Sequence, residues 1–219
     1  MGNQMKLSVR KKGKRGNTLI EFAIVMPFWI SVLFGTIALG TNLTRSIQVV
    51  QLSRDLASMY ARGTDFSSPG FQNLITGDGG ASASLAQGMD LSAGGNAVIY
   101  LSQVRHVYGG GTPDADCAGG VCANAGKDVY VNQVVFGNPT LFTSYLGSGP
   151  DSADLDTHDN TKNPTTDAGD KTNQNALFAA TYTVPGNGYV SFVVEVFMAS
   201  QDVKFLGFSG AGNYSRAIF

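Results

Sequence analysis

Between Glu21 and Arg45 the chain carries no charged residue, an uninterrupted run of 23 positions from Phe22 to Thr44. About 20 mostly apolar residues suffice for a helix to cross the hydrocarbon core of a bilayer. This run is therefore long enough to span, and every other reading of the chain must accommodate it. The charges on either side are sorted. Lys6, Arg10, Lys11, Lys12, Lys14 and Arg15 all precede Gly16, and all sixteen acidic residues follow it. Bases crowded before a spanning helix hold that end in the cytoplasm, so the remainder is expected outside it. A secretory signal has a shorter apolar core, about 7 to 15 residues, followed by a small-residue cleavage site; no convincing site follows here.

Beyond Gly16 the chain has nine bases against sixteen acids, a formal charge of −7. An acidic body gives a nucleic-acid partner little support. With 14% charged residues and 28 glycines, a helix-rich cytosolic enzyme is also a poor fit. The expected class is α+β: a long N-terminal transmembrane and amphipathic helix, then a mostly antiparallel β head. Residues 1–16 form a polar leader, 17–62 the helix, 63–95 a loop-rich connection and 96–219 the head.

The helix is expected to continue past the lipid. In "RSIQVVQLSRDLASMYAR" (45–62), Val49, Leu52, Leu56, Met59 and Tyr60 recur at helical spacing, while Arg45, Arg54 and Asp55 fall off that stripe. Gly63 is the expected stop, with Arg62 in the last turn. The glycine- and serine-rich stretch 64–95 reads as loop with room for one short helix. Strand-like runs follow at 97–108 and 128–136. A hairpin is expected where "LFAATYTV" and "YVSFVVEVFM" flank Pro185-Gly186-Asn187-Gly188. In its second arm Val190, Phe192, Val194, Val196 and Met198 share one face, expected to pack on the amphipathic helix. The other face carries Ser191 and Glu195 along with Val193 and Phe197, so the sheet is expected to be packed on one side only. A last strand is expected at 203–208. Residues 147–176 are nearly devoid of large apolar side chains and read as a long surface loop.

"RGNTLIEFAIVMP" resembles a prepilin processing site. The resemblance implies that a prepilin peptidase cuts after Gly16, making Asn17 the new N-terminus and Glu21 the fifth mature residue. "EFAIVMP" followed by "LFG" (33–35), and "LSRDLASMYARG" further on, are most similar to the TadE-like proteins of the tight-adherence pilus system. "TLIE" fits the general type IV pilin pattern equally. The resemblance covers roughly residues 15–62. It implies a structural subunit, held in the inner membrane with an extracytoplasmic head before assembly. The subunit then joins other pilin subunits in an extracellular pilus used for adhesion. Two alternatives stand beside it: a major type IV-like pilin or secretion pseudopilin, and a signal-anchored periplasmic binding or enzymatic domain.

Glu21 has two readings, a boundary residue snorkelling to the headgroups or an assembly device. Pro27 removes a backbone donor and frees the carbonyl of Ala23, which either bends the helix or assists subunit packing. Ser31 and Gly35 form a small-x-x-x-small pair of the kind that lets helices approach. No catalytic constellation, phosphate-binding loop or cofactor motif is present in the sequence. In "DLDTHDN", with Asp151, Asp167 and Asp170 nearby, either a calcium loop or a solvated acidic loop can be read; the terminal glutamate and glycine of an EF-hand are missing. Cys117 and Cys122 in "CAGGVC" read as a disulfide in an exported chain, rather than a metal site, because His106 and His158 lack ligand spacing. Closing so short a loop contributes on the order of 2 kcal/mol. Replacing both cysteines by serine should lower the head's unfolding free energy by that amount. Two free thiols by alkylation in exported protein would refute the pairing.

Overall fold

The computed structural model describes residues 17–76, 88–106, 124, 127–147, 149–150, 190–199 and 212–219. The leader with Gly16, the pair Cys117 and Cys122, the acidic loop 151–170, the 185–188 turn with its first arm, and the run 203–208 lie outside these residues. The described elements are α1 (Asn17–Ala61), α2 (Pro69–Thr76), β1 (Ala97–His106), β2 (Asp128–Gly137), β3 (Val190–Met198) and β4 (Asn213–Ile218). The strands form one sheet in the order β2-β1-β3-β4, every neighbouring pair antiparallel. This is the α+β layout expected of the sequence. The chain divides into two compact units, Met1–Thr41 and Asn42–Phe219, and α1 contributes to both.

Within the second unit, α1 ends where the sequence places its stop. Gly63 adopts φ +83°, a conformation that costs a residue without Cβ little. The Gly63 N–H donates to the Tyr60 carbonyl at 3.0 Å and the Thr64 N–H to the Met59 carbonyl at 3.2 Å. Those two bonds are the paired closure of a Schellman motif, and they satisfy carbonyls that the helix end would otherwise leave open.

Register assigns the sheet's two faces. Ile99 lies opposite Phe136 and Val196, and Leu101 opposite Val134 and Val194, so these side chains share a face. Ala217, opposite Val194, extends it onto β4. Val49, Leu52, Leu56, Ala57 and Tyr60 of α1 close over this face, joined by Phe66, Met89 and Leu91. Their spacing of three and four residues is what one side of an α-helix presents. Two polar contacts fasten α1 to the edge strand β4. Asn213 donates to Asn42 at 3.0 Å, and the Ser53 and Ser215 hydroxyls meet at 2.9 Å. Ser53 spends its single proton on the Val50 carbonyl, so Ser215 is the donor of that pair.

Three differences from the sequence reading have physical causes. Met59 is 38% exposed, and Ala57, fully buried, takes the place on the stripe expected of Met59. A short side chain lets the helix backbone approach the sheet. Second, the face bearing Ser191 and Glu195 is not a solvent face. Val104, Tyr130 and Val193 form a second cluster there with Leu146 and Ile218, and Glu195 itself is 1% exposed. Third, the strand beside β3 is Asn213–Ile218, a run whose polar residues conceal it from pattern reading. β2 also carries an extra residue, Val131, between the pairs Gln103–Asn132 and Val104–Tyr130. That bulge reverses the faces of the residues before it, so Val129 joins the helix-facing side.

Leu56 is 5% exposed within the larger cluster. Leu56→Ala should destabilise the head by roughly 2–5 kcal/mol. Met59→Ala should change it by less than about 0.5 kcal/mol. Denaturant unfolding of the detergent-solubilised chain compares the two, and equal losses would refute the assignment of Ala57 rather than Met59 to the buried stripe.

Candidate functional site

Among the described residues, nothing covers the apolar side chains of α1 within the first unit. Leu19 is 74% exposed, Ile24 71%, Phe28 70% and Leu39 70%. Leaving a side chain of that size in water forgoes about 1.5–3 kcal/mol each. A run of them is stable only in lipid or against other protein. The helix is long and apolar enough to cross a membrane. Its hydroxyls are disposed for a dry environment. Ser31 donates to the Pro27 carbonyl at 2.9 Å, Thr36 to that of Leu33 at 2.8 Å and Thr41 to that of Ala38 at 3.0 Å. Each of these three hydroxyls is thereby satisfied within its own helix, as hydrocarbon surroundings demand.

The residues singled out from the sequence fall on this helix in the expected order. The described part of α1 opens at Asn17, and Glu21 lies four residues, about one turn, further on. Glu21 is exposed. Pro27 sits inside α1, which runs through it unbroken. Among the described residues, a Cβ placed on Gly35 would meet nothing within 4 Å beyond the backbone of its own helix turns, which leaves room for a neighbour there. Gly16, Cys117 and Cys122 are not among the described residues.

The second polar centre was not anticipated. Glu195 lies in the middle of β3, between Val194 and Val196, with Tyr100 and Arg216 as its cross-strand partners. Three donors converge on its carboxylate: the Ser144 hydroxyl, the Tyr145 N–H at 3.2 Å and the Tyr214 hydroxyl at 2.7 Å. The Ser144 oxygen in turn accepts from the Leu146 N–H at 3.1 Å. A buried carboxylate is tolerable when charge-assisted hydrogen bonds replace its water. Burial, and then the Glu195 charge, raises the Tyr100 hydroxyl above its ordinary pKa. That hydroxyl donates to the Phe142 carbonyl at 2.7 Å. Phe142 stacks on Phe197 at 5.1 Å, and the Arg216 guanidinium lies 5.8 Å from the Tyr145 ring centre. The segment 142–146 is thus strapped across the second face by one carboxylate and a group of aromatic rings. The one available signal was a glutamate inside an otherwise apolar "VVEVF". Ser144 and Tyr145 lie about fifty residues before it and Tyr214 nineteen after, and no spacing betrays them.

At the far end of the sheet the His106 Nδ1 lies 2.7 Å from Asp128 Oδ1, across the last β1–β2 pair. Among the described residues no three His, Cys, Asp or Glu side chains converge to hold a metal. Two of the three donors to Glu195 belong to the strap and the third, Tyr214, to β4, so the carboxylate ties the strap to the sheet.

Comparison with protein-family models, curated proteins and solved structures finds no match to this chain. The functional reading therefore rests on the residues themselves.

Removing the Glu195 carboxylate leaves buried donors without an acceptor, at about 1–3 kcal/mol for each unsatisfied group. Glu195→Ala should therefore lower stability by roughly 2–4 kcal/mol and release the strap. Hydrogen exchange at the Tyr145 and Leu146 amides is the direct measurement. Protection unchanged from the parent chain would show that the aromatic rings alone hold the segment.

Proposed function

We propose that this chain is a pilin-like structural subunit, similar to the TadE-like proteins of the tight-adherence pilus. A prepilin peptidase removes the leader after Gly16 on the cytoplasmic side. The subunit waits in the inner membrane, held by α1 with its head on the far side, and then joins other pilin subunits through α1 in a surface pilus that mediates adhesion. The observation that carries this reading is the pairing of a membrane-length helix, apolar and exposed on all sides, with a single glutamate one turn from Asn17. A plain anchor has no use for that glutamate.

Cutting after Gly16 creates a cationic amine at Asn17. In a bundle of apolar helices an unpaired carboxylate would cost several kcal/mol. Pairing Glu21 with an amine, its own or that of a neighbouring subunit, removes most of that penalty and fixes the axial register. The positive end of the helix dipole adds a smaller term of the same sign. Glu21 is then used only once the leader has gone.

Sequencing the N-terminus of the mature protein separates this proposal from a signal-anchored domain, for which Met1 would be retained. Replacing Gly16 with a bulky residue should block maturation without affecting membrane insertion. Glu21→Ala should be inserted and at least partly cleaved, yet yield few or no sheared filaments containing the subunit. Normal incorporation of a cleaved Glu21→Ala subunit would return Glu21 to a boundary role.

A further inference from the structure

Trp29 is the only tryptophan of the chain, and it stands at an unusual depth on α1. Indole rings gather at the headgroup level of a bilayer, where the ring stays dry and the N–H finds an acceptor. Trp29 lies eight residues past Glu21, about 12 Å along the helix axis. With Glu21 at the cytoplasmic interface the indole is set inside the hydrocarbon. A side chain that leans back by one turn does not return it to the headgroups. The residue is 64% exposed, and among the described residues no acceptor meets its N–H. An indole nitrogen can only donate, so an oxygen from outside the helix must satisfy it.

The same segment holds a matching acceptor. Pro27 sits inside α1 and has no N–H to give the Ala23 carbonyl, four residues before it. The hydroxyl of Ser31, one turn further on, is committed to the Pro27 carbonyl at 2.9 Å. Carbonyls freed by proline in a spanning helix are re-satisfied by side chains or by neighbouring helices. Among the described residues no side chain does so for Ala23. Donor and acceptor cannot meet within one helix, because six residues separate them by about 9 Å along the axis and about 120° around it. Between parallel copies they can. The indole leans toward the N-terminus and the carbonyl points toward the C-terminus, so an axial offset below about 9 Å brings them level.

We propose that α1 packs against a second copy of itself through a hydrogen bond from the Trp29 indole N–H to the Ala23 carbonyl of the next copy. The two groups lie on different sides of the helix, so the contact is heterologous. Each copy donates on one side and accepts on another, and the bond propagates from copy to copy instead of closing as a two-fold pair. This contact rests on the reading that α1 assembles with further subunits, and adds to it which sides of the helix meet. Glu21 then sets the axial position of a copy and the indole bond its rotation about the helix axis.

The full chain, its single indole nitrogen labelled with 15N, is studied in detergent micelles at rising protein-to-detergent ratio. Sedimentation reads its self-association and NMR reads the indole proton. Species larger than a dimer are expected, with the indole proton moving downfield as they form. Trp29→Phe keeps an aromatic ring without the donor, and Pro27→Ala returns an N–H to the Ala23 carbonyl. Each should weaken association by about three- to thirtyfold. The double variant should be no weaker than either single one, since both remove the same bond. Association unchanged in the single variants, losses that add in the double variant, or assembly that stops at the dimer would overturn the proposal. So would an indole proton already bonded in the dilute monomer, which would make detergent or lipid the acceptor. A parent chain that stays monomeric at every ratio would also overturn this contact, while leaving the pilus reading to the fate of Glu21→Ala. Association as described by a mature chain that retains Met1 would support the contact and count against the pilus reading.

Discussion

A helix that must be apolar all round for part of its length and apolar on one side for the rest imposes the constraint on which this molecule depends. From Leu19 to Thr41 no side of α1 is polar enough to face water. From Val49 the requirement changes, and only the stripe ending at Tyr60 is buried, against the sheet. Arg54 and Asp55 lie outside that stripe and are exposed. The second half is what gives the sheet a core on that side, because β1 and β3 carry near-continuous runs of Val, Ile and Leu that would otherwise lie open. Serine and alanine on the stripe make the approach close: Ser53 and Ala57 are both fully buried. Larger residues at those two positions would hold the helix off the strands and open voids beneath Val49 and Leu56.

Packing on one side cannot by itself explain the sheet. β1 and β3 are central strands, and their residues on the second face, Val98 and Val193 among them, are also fully buried. No described helix lies there. The cover comes instead from the segment that follows β2, and such irregular chain brings backbone groups that need partners. Glu195 answers that need by accepting from a backbone N–H of the segment as well as from two hydroxyls. An apolar residue at 195 would pack but could not bond the Tyr145 amide. The burial of a charge in a strand is thus the consequence of covering a sheet with loop rather than helix.

Much of this was legible in the sequence, for reasons that can be given residue by residue. The extent of α1 follows from hydrophobic continuity up to Thr44 and period afterwards, with Gly63 as a stop. β1, β2 and β3 announce themselves by β-branched and aromatic density. The placement of Glu21 and Pro27 was readable because it is local: both share one helix with Asn17, where spacing alone sets position. What escaped was non-local or polar. β4, "NYSRAI", has no apolar alternation, and its place in the sheet comes from pairing with β3. Glu195 looked like a solvent-side residue because alternation says nothing about which loop covers a face. Met59 and Ala57 exchanged expectations because hydropathy ranks methionine above alanine, whereas close packing of a helix on a sheet favours the smaller side chain.

The sparseness of polar groups in α1 bears on how its register could be set. From Asn17 to Thr44, Glu21 is the only charged side chain. Ser31, Thr36 and Thr41 are turned back onto carbonyls of their own helix, so their hydroxyl protons are already committed. Packing among Leu, Ile, Val and Phe side chains is tolerant of sliding, since one apolar contact substitutes for another at little loss. A helix of this composition therefore has strong affinity for apolar surroundings and little means of choosing a position within them. A lone carboxylate changes that balance. Displaced by one turn from a compensating cation, it forfeits a charge-assisted hydrogen bond in a medium where nothing else can replace it. On the proposed assembly, affinity and register are carried by separate residues: the first by the whole apolar surface, the second by Glu21, whose influence grows as the rest of the helix becomes more uniform.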